Sequence, residues 1–276
     1  MMYPIKNGKN LKQIAKDNKT KYINSLPFAH IVLEDLFDND ILEKVLLEFP
    51  DLSLKNEANH YSGITDEKFS SPRGTKFQNK NTRDFLNYLN SSEFIDFLQE
   101  LTSIKESLIP DPHFLGGGLH LSKKGGFLKI HTDYCKHPET NLDRRVNLLI
   151  FLNKNWKEKY NGYLNFFDKK MTKCVKKIPP NFNTTVIFNT TDFTYHGVPD
   201  PILCPNNQSR KSLALYYFSN GRPKSEIRSK LKNQSTLYKE RKGEIFLRNF
   251  NSRDIISLFI PPIFKNIYYF LKKIKN

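Results

Sequence analysis

The sequence predicts a mostly β core, a sandwich or jelly roll, flanked by α-helices on its N-terminal and C-terminal sides. Three observations predict it. Up to about residue 110, apolar residues recur at helical spacing. From about residue 111, short apolar runs alternate with turn-formers and lose the helical period. The last fifty or so residues return to a helical texture and are strongly basic up to about Arg248.

Residues 1–25 are polar and basic and read as a loose arm with one short helix. Leu26 to Glu34 reads as an extended strand. Asp38-Asn39-Asp40 supplies an N-cap for a helix carrying Ile41, Leu42, Val45, Leu46 and Phe49, which stops before Pro50. Residues 51–75 read as a long loop. One helix then runs from Thr82 through Phe85, Leu86 and Leu89, and another follows Ser91-Ser92 with Phe94, Phe97, Leu98 and Leu101. Strands are expected near 113–121, 126–133, 145–152, 162–168, 173–178, 184–188, 194–198 and 210–219. The punctuation is clearest at Gly116-Gly117-Gly118, Gly125-Gly126, Asn161-Gly162 and Pro179-Pro180-Asn181. The chain thus divides into 1–110 (arm, strand and supporting helices), 111–223 (the β domain) and 224–276 (a basic helical extension).

Composition narrows the class. The chain has 276 residues and a formal net charge of +16. Lys far outnumbers Arg and is scattered, so the charge reads as a solvated surface, and nucleic acid is not an expected partner. Three cysteines, Cys135, Cys174 and Cys204, lack CxxC spacing and suggest a reducing, cytoplasmic setting without a disulfide framework. The polar, Lys-rich start has no apolar core of a signal peptide, and no transmembrane segment is expected. The apolar stretch from Ile255 to Leu271 is broken by Pro261, Pro262 and Lys265. It is expected to pack on its own domain, with peripheral contact of this basic tail with an anionic surface as the alternative.

The candidate chemistry centres on Phe127 to Asp133. In a strand, residues i and i+2 share a face, so His131 and Asp133 project side by side. With one further histidine they make the two-histidine, one-carboxylate set that holds non-haem Fe(II) with open positions. His196, near the end of a later strand, is that histidine. Arg210 opens the last strand, and Ser212 shares its face. A guanidinium fork with a hydroxyl beside it suits the distal carboxylate of a dicarboxylate whose other end chelates iron.

The order His131-Thr132-Asp133, then His196, then Arg210-Lys211-Ser212 resembles the Fe(II)/2-oxoglutarate-dependent oxygenase superfamily, in its prolyl-4-hydroxylase-like branch. The resemblance covers roughly residues 111–223 and extends to the texture of Arg145 to Asn153, Asn161 to Leu164 and Leu213 to Phe218. It implies a double-stranded β-helix (jelly roll) and a dioxygenase that hydroxylates an unactivated C–H bond, foremost a prolyl residue of a protein or peptide. It implies Fe(II), 2-oxoglutarate and O2, with L-ascorbate as an accessory. His131, Asp133 and His196 would be ligands and Arg210 the cosubstrate anchor. Two departures stand out. Phe151 occupies a position where relatives carry a cosubstrate-contacting tyrosine, and a second such position falls near His120 or Leu121, with His120 as a substitute donor. A long loop, Pro199 to Gln208, separates His196 from Arg210.

Three other readings compete. One is a hydroxylase of a free amino acid or other small metabolite. Another is a cupin-type metal isomerase, which would have no use for the Arg210–Ser212 clamp. The third is a non-catalytic jelly-roll binding module.

Overall fold

A computed structural model of the chain describes residues 4–226, 236–241 and 243–244. The chain divides into two compact units at Glu244, and all described residues belong to the first. The helical texture expected of residues 245–276 lies outside the described residues.

The N-terminal arm forms α1 (Leu11–Ile23), capped by the Asn10 side chain, which accepts from the amides of Lys12 and Gln13. Strand β1 (His30–Glu34) follows. Helix α2 (Asn39–Glu48) starts where expected: the Asp38 carboxylate accepts from the amides of Asp40 and Ile41. After a short hairpin, β2 (Asn59–Ser62) and β3 (Asp66–Ser70), come α3 (Lys80–Leu89) and α4 (Ser92–Thr102), the latter capped by Ser91. The remaining strands are β4 (Ile109–Pro110), β5 (Gly118–Ser122), β6 (Phe127–Thr132), β7 (Asp143–Phe151), β8 (Leu164–Phe167), β9 (Cys174–Ile178), β10 (Thr184–Asn189), β11 (His196–Val198), β12 (Arg210–Ser219) and β13 (Leu237–Tyr238).

The strand pairings among the described residues are antiparallel, and the main path through the sheet runs β1-β10-β7-β12-β5-β3-β6-β11-β8-β9. This is the mostly antiparallel β architecture of a jelly roll, with helices on its outside. Period-two alternation separates two cores. Leu119, Leu121, Leu148, Ile150, Ile187, Leu213, Leu215 and Tyr217 face outward and share one apolar cluster with the helices. Phe151, Leu164, Phe166, Val186 and Phe188 face inward and form another. Each of the eight expected strands is present, seven with small boundary differences; the one expected from residue 113 begins only at Gly118, because residues 113–117 form turns.

The stretch expected to be a loop, 51–75, contains β2 and β3 instead. Every residue of β2 is exposed, and β3 is half-buried but for Ser70, so neither shows an apolar alternation. Strand β3 exists because distant edges complete it. It pairs with β5 through Phe69↔Leu121 and Ser70↔His120, and with β6 through Asp66↔Leu128 and Glu67↔Phe127. Such pairing is set by tertiary context rather than local propensity. Similarly, part of the stretch expected to be helical after residue 224 is the short strand β13, held on β6 by Leu237↔Thr132 and Tyr238↔His131.

One capping interaction ties two helices. The Glu48 carboxylate, at the end of α2, accepts from the backbone amides of Asn81 and Thr82 in the first turn of α3. Burial alone would raise this carboxyl, but those donors hold it below its ordinary value. Because the folded value is depressed, the stabilisation is present above the unfolded value of about 4.3 and is lost as pH falls through the folded one. Glu48→Ala is therefore expected to cost about 1–2 kcal/mol in urea unfolding at neutral pH. The gap to wild type should narrow in acid; a gap that does not change with pH would contradict the cap.

Candidate metal centre

Strand β6 carries His131 on its inner face, and Asp133 follows just past the strand's end. Strand β11 runs antiparallel to β6 with His196 directly opposite His131. Register alone thus brings the two imidazoles side by side, with ring centroids 4.5 Å apart and ring planes tilted by 50°. Gly197 makes this approach sterically feasible, since a Cβ there would lie 2.7 Å from the carbonyl oxygen of Leu128. Nε2 of His131 lies 3.6 Å from Oδ1 of Asp133, and Nε2 of His196 lies 3.4 Å from Oδ2. One donor atom from each of the three residues falls within 4.8 Å of the others, and all three residues are buried.

Both imidazoles are oriented the same way. Nδ1 of His131 contacts the carbonyl oxygen of Lys129 at 2.8 Å, and Nδ1 of His196 contacts that of Thr194 at 3.0 Å. A carbonyl only accepts, so each Nδ1 carries the proton and each Nε2 presents a lone pair to the centre. Burial pushes the His196 imidazole down to about 4, with Asp133 opposing, so the ring is neutral and ready to ligate.

Asp133 is held as a carboxylate. Burial alone would raise it, but Arg144, His196 and His131 hold it well below the ordinary range. Its Oδ2 accepts from Asn147 Nδ2 at 2.7 Å and faces an Arg144 nitrogen at 3.2 Å. Arg144 also donates from Nε to Asn147 Oδ1 at 2.9 Å. Its guanidinium carbon sits 3.4 Å from the ring centroid of Tyr216 and 4.6 Å from that of Tyr134. Arg144 reaches this interior through an irregularity in β7. The β12 register steps from Tyr217↔Val146 to Phe218↔Arg144, leaving Arg145 as the extra residue. The bulge turns Arg144 to the face that Asn147 and Leu149 share, toward the cavity, while Arg145 pairs with Glu106 and Glu226.

At the other end of the same cavity lie Arg210, Ser212 and His120. Ser212 of β12 pairs with His120 of β5 on one side and with Phe151 of β7 on the other. Arg210 is 8% exposed, donates from Nε to the carbonyl of Gly162 at 2.8 Å, and packs its guanidinium 4.8 Å from the Phe151 ring centroid. Burial lowers its proton affinity to about 10. Among the described residues no carboxylate lies within ion-pair distance of it. A buried cation without a counter-charge is costly, so this end of the cavity suits a bound carboxylate. His120 is kept neutral, lowered to about 3 by burial and then by Lys68. Its Nε2 contacts the carbonyl oxygen of Gly116 at 3.2 Å, which places the single ring proton there and leaves Nδ1 as an acceptor.

The three sequence-selected metal donors, Arg210, Ser212 and His120 therefore all line one cavity. Sequence reasoning missed Lys68, Arg144, Asn147 and Tyr216, which line it too, and Tyr238, whose ring centroid lies 5.5 Å from that of His131. Asn147 lay inside a run read as a strand and Arg144 just before it, and the bulge that aims Arg144 has no local signature. Lys68 lay in the stretch read as a loop.

Comparison with known proteins agrees with this geometry. Residues 117–218 match the model of the 2OG-Fe(II) oxygenase superfamily. No curated protein sequence matches the chain. Among solved structures, the chain is similar to a prolyl hydroxylase from Trichoplax adhaerens in complex with a hypoxia inducible factor oxygen degradation domain peptide fragment. The TM-score is 0.56 at 15% identity, covering 76% of this chain and 90% of that one. It is also similar to a prolyl-4-hydroxylase from Pseudomonas putida, with TM-score 0.54 and 16% identity, covering 76% of this chain and 100% of that one. At these identities the likeness is one of fold. The family's cofactors are Fe(II), 2-oxoglutarate and O2, and the buried His131, Asp133 and His196 donor set fits the metal. Residues 117–218 thus match a 2OG-Fe(II) oxygenase domain, which supports a dioxygenase, and the jelly roll is similar in fold to those of the two prolyl hydroxylases.

Proposed function

We propose that this dioxygenase hydroxylates a prolyl residue of a protein or peptide. The observation that carries the reading is one cavity with two ends. Three converging neutral or anionic donors lie at one end, and a buried cation without a counter-charge lies at the other. That spacing of chemistry suits 2-oxoglutarate lying across the cavity. The prolyl assignment draws support from the fold shared with the two hydroxylases, one of them bound to a peptide.

In this reading His131, His196 and Asp133 would hold Fe(II). Asn147 and Arg144 meet Oδ2 of Asp133 and keep it a carboxylate. Arg210 takes the distal carboxylate of the cosubstrate, with Ser212 beside it as a hydroxyl donor. His120 and Phe151 flank Ser212 as walls rather than as the tyrosine donors of relatives. Leu149, Leu164, Phe188 and Val198 line the cavity with apolar surface and exclude water from the reacting groups. Bound Fe(II), with 2-oxoglutarate and O2, supplies the oxidising power to hydroxylate an unactivated C–H bond.

The test is mass spectrometry of proline-containing peptides incubated with protein, Fe(II), 2-oxoglutarate and O2. A gain of one oxygen at proline, absent when alanine replaces proline and absent with Asp133→Ala, is the expected result. Oxygen incorporation only into a free amino acid or other metabolite would overturn the prolyl assignment. Arg210→Ala is expected to raise the KM for 2-oxoglutarate about thirtyfold or more, the effect of breaking a buried charge pair. Asn147→Leu removes a donor to Asp133 and is expected to weaken metal binding about 10–100-fold, read by Co(II) titration.

A further inference from the structure

The cavity holds more positive charge than its metal and cosubstrate account for. Lys68, Arg144 and Arg210 line it, and Asp133 is the one acid among its described lining residues. Arg144 is matched to Asp133 at 3.2 Å and sandwiched by two tyrosine rings. Arg210 is matched, in the reading above, by the distal carboxylate of 2-oxoglutarate. The other carboxylate of 2-oxoglutarate offsets only one of the two charges of a divalent metal, so the cavity stays net positive. Lys68 is left over. Among the described residues no carboxylate lies within ion-pair distance of its ammonium, which sits 5.0 Å from the ring centroid of Tyr61. Asp66, two positions away on the same face of β3, is already engaged by the Tyr238 hydroxyl at 3.3 Å and by Thr65 at 3.1 Å.

The position of Lys68 adds to this. Strand β3 spans the gap between β5 and β6, pairing with β5 at Phe69 and Ser70 and with β6 at Asp66 and Glu67. Lys68 falls between those two pairings. His120, Ser212 and His131 line the same cavity. Burial lowers its proton affinity, while Asp66 and Asp133 raise it, so the ammonium senses the metal-binding carboxylate. An ammonium poised between cosubstrate and metal, lacking a partner, calls for an anion arriving with the third component of the reaction.

We propose that Lys68 Nζ binds a carboxylate carried by the substrate itself, so that the enzyme selects an acidic substrate over its neutral isostere. This rests on the oxygenase reading of the cavity. The carboxylate comes either from an Asp or Glu side chain flanking the reacting residue or from the free carboxylate of an amino acid.

The test is calorimetry on the full-length protein loaded with Mn(II) and 2-oxoglutarate, which allows binding without turnover. Three matched pairs are titrated: Ac-Glu-Pro-Glu-NH2 against Ac-Gln-Pro-Gln-NH2, the same two peptides with alanine in place of proline, and L-proline against L-prolinamide. Wild type is expected to prefer the anionic member of at least one pair by about tenfold or more, the worth of a charge-assisted hydrogen bond. Lys68→Met should reduce that preference to within about threefold, and Lys68→Arg should retain it, with 2-oxoglutarate affinity unchanged in both. Preference in a peptide pair assigns the carboxylate to an acidic segment, and preference only in the third pair assigns it to a free amino acid. A preference that persists in the alanine peptides supports an anion site that reads the flanking carboxylate independently of the central residue. No preference in any pair overturns the proposal. So does a preference that survives Lys68→Met, or a Lys68→Met defect that falls on 2-oxoglutarate affinity, which would make Lys68 a second cosubstrate clamp. Failure of wild type to bind Mn(II) and 2-oxoglutarate overturns the oxygenase reading and the proposal with it.

Discussion

The antiparallel register that sets His196 opposite His131 is the constraint on which the rest depends. A slip of one residue would turn either imidazole to the other face of the sheet. The register is enforced from both sides. Gly197 lets β11 lie against the carbonyls of Leu128 and Lys129, where any side chain would clash. On its other edge β11 pairs with β8 through His196↔Phe166 and Gly197↔Asn165. The apolar cluster of Phe151, Leu164, Phe166 and Phe188 then packs behind the site, with the Phe188 ring centroid 4.9 Å from that of His196. Local backbone geometry also orients the rings, because each Nδ1 finds a carbonyl two residues upstream in the chain.

Charge is the second organising feature. Burying several ionic groups in one cavity opposes stability unless each is matched. Asp133 is matched by Arg144, which in turn rests on Tyr134 and Tyr216. Arg210 and Lys68 have no such match among the described residues. The fold bears this cost where ligands arrive, as perturbed and unmatched groups in a cleft often mark function. The same balance explains why the two ends of the cavity differ. Donors near the metal are neutral or anionic, whereas the far end is cationic.

Much of this was legible in the sequence, for identifiable reasons. The helices following Asp38 and Ser91 carry both a cap and a helical apolar stripe, two independent signals for each element. Strands β7 and β10 are apolar on both faces because one face meets the helices and the other an interior core. His131, Asp133, His196 and Arg210 could be chosen because their spacing couples to strand period. What stayed hidden depends on distant partners. The hairpin β2–β3 has polar, exposed residues and is completed by β5 and β6. Arg144 enters the site only through the bulge at Arg145. The Nδ1 contact pattern is not itself a metal signature, since His30 makes the same contact to Phe28 at 2.8 Å away from the metal donors. Convergence in space, not the local pattern, distinguishes His131 and His196.

The most direct test of the central claim, that His131, Asp133 and His196 form one iron site facing a 2-oxoglutarate site, is an anaerobic titration with Fe(II) and then 2-oxoglutarate. Chelation of 2-oxoglutarate to iron held by this set produces a visible metal-to-ligand charge-transfer band. The account predicts that band in wild type, its loss in His196→Ala, and a higher 2-oxoglutarate requirement in Arg210→Ala. Fully loaded iron with no band on adding 2-oxoglutarate, or a band indifferent to His196→Ala, would contradict it.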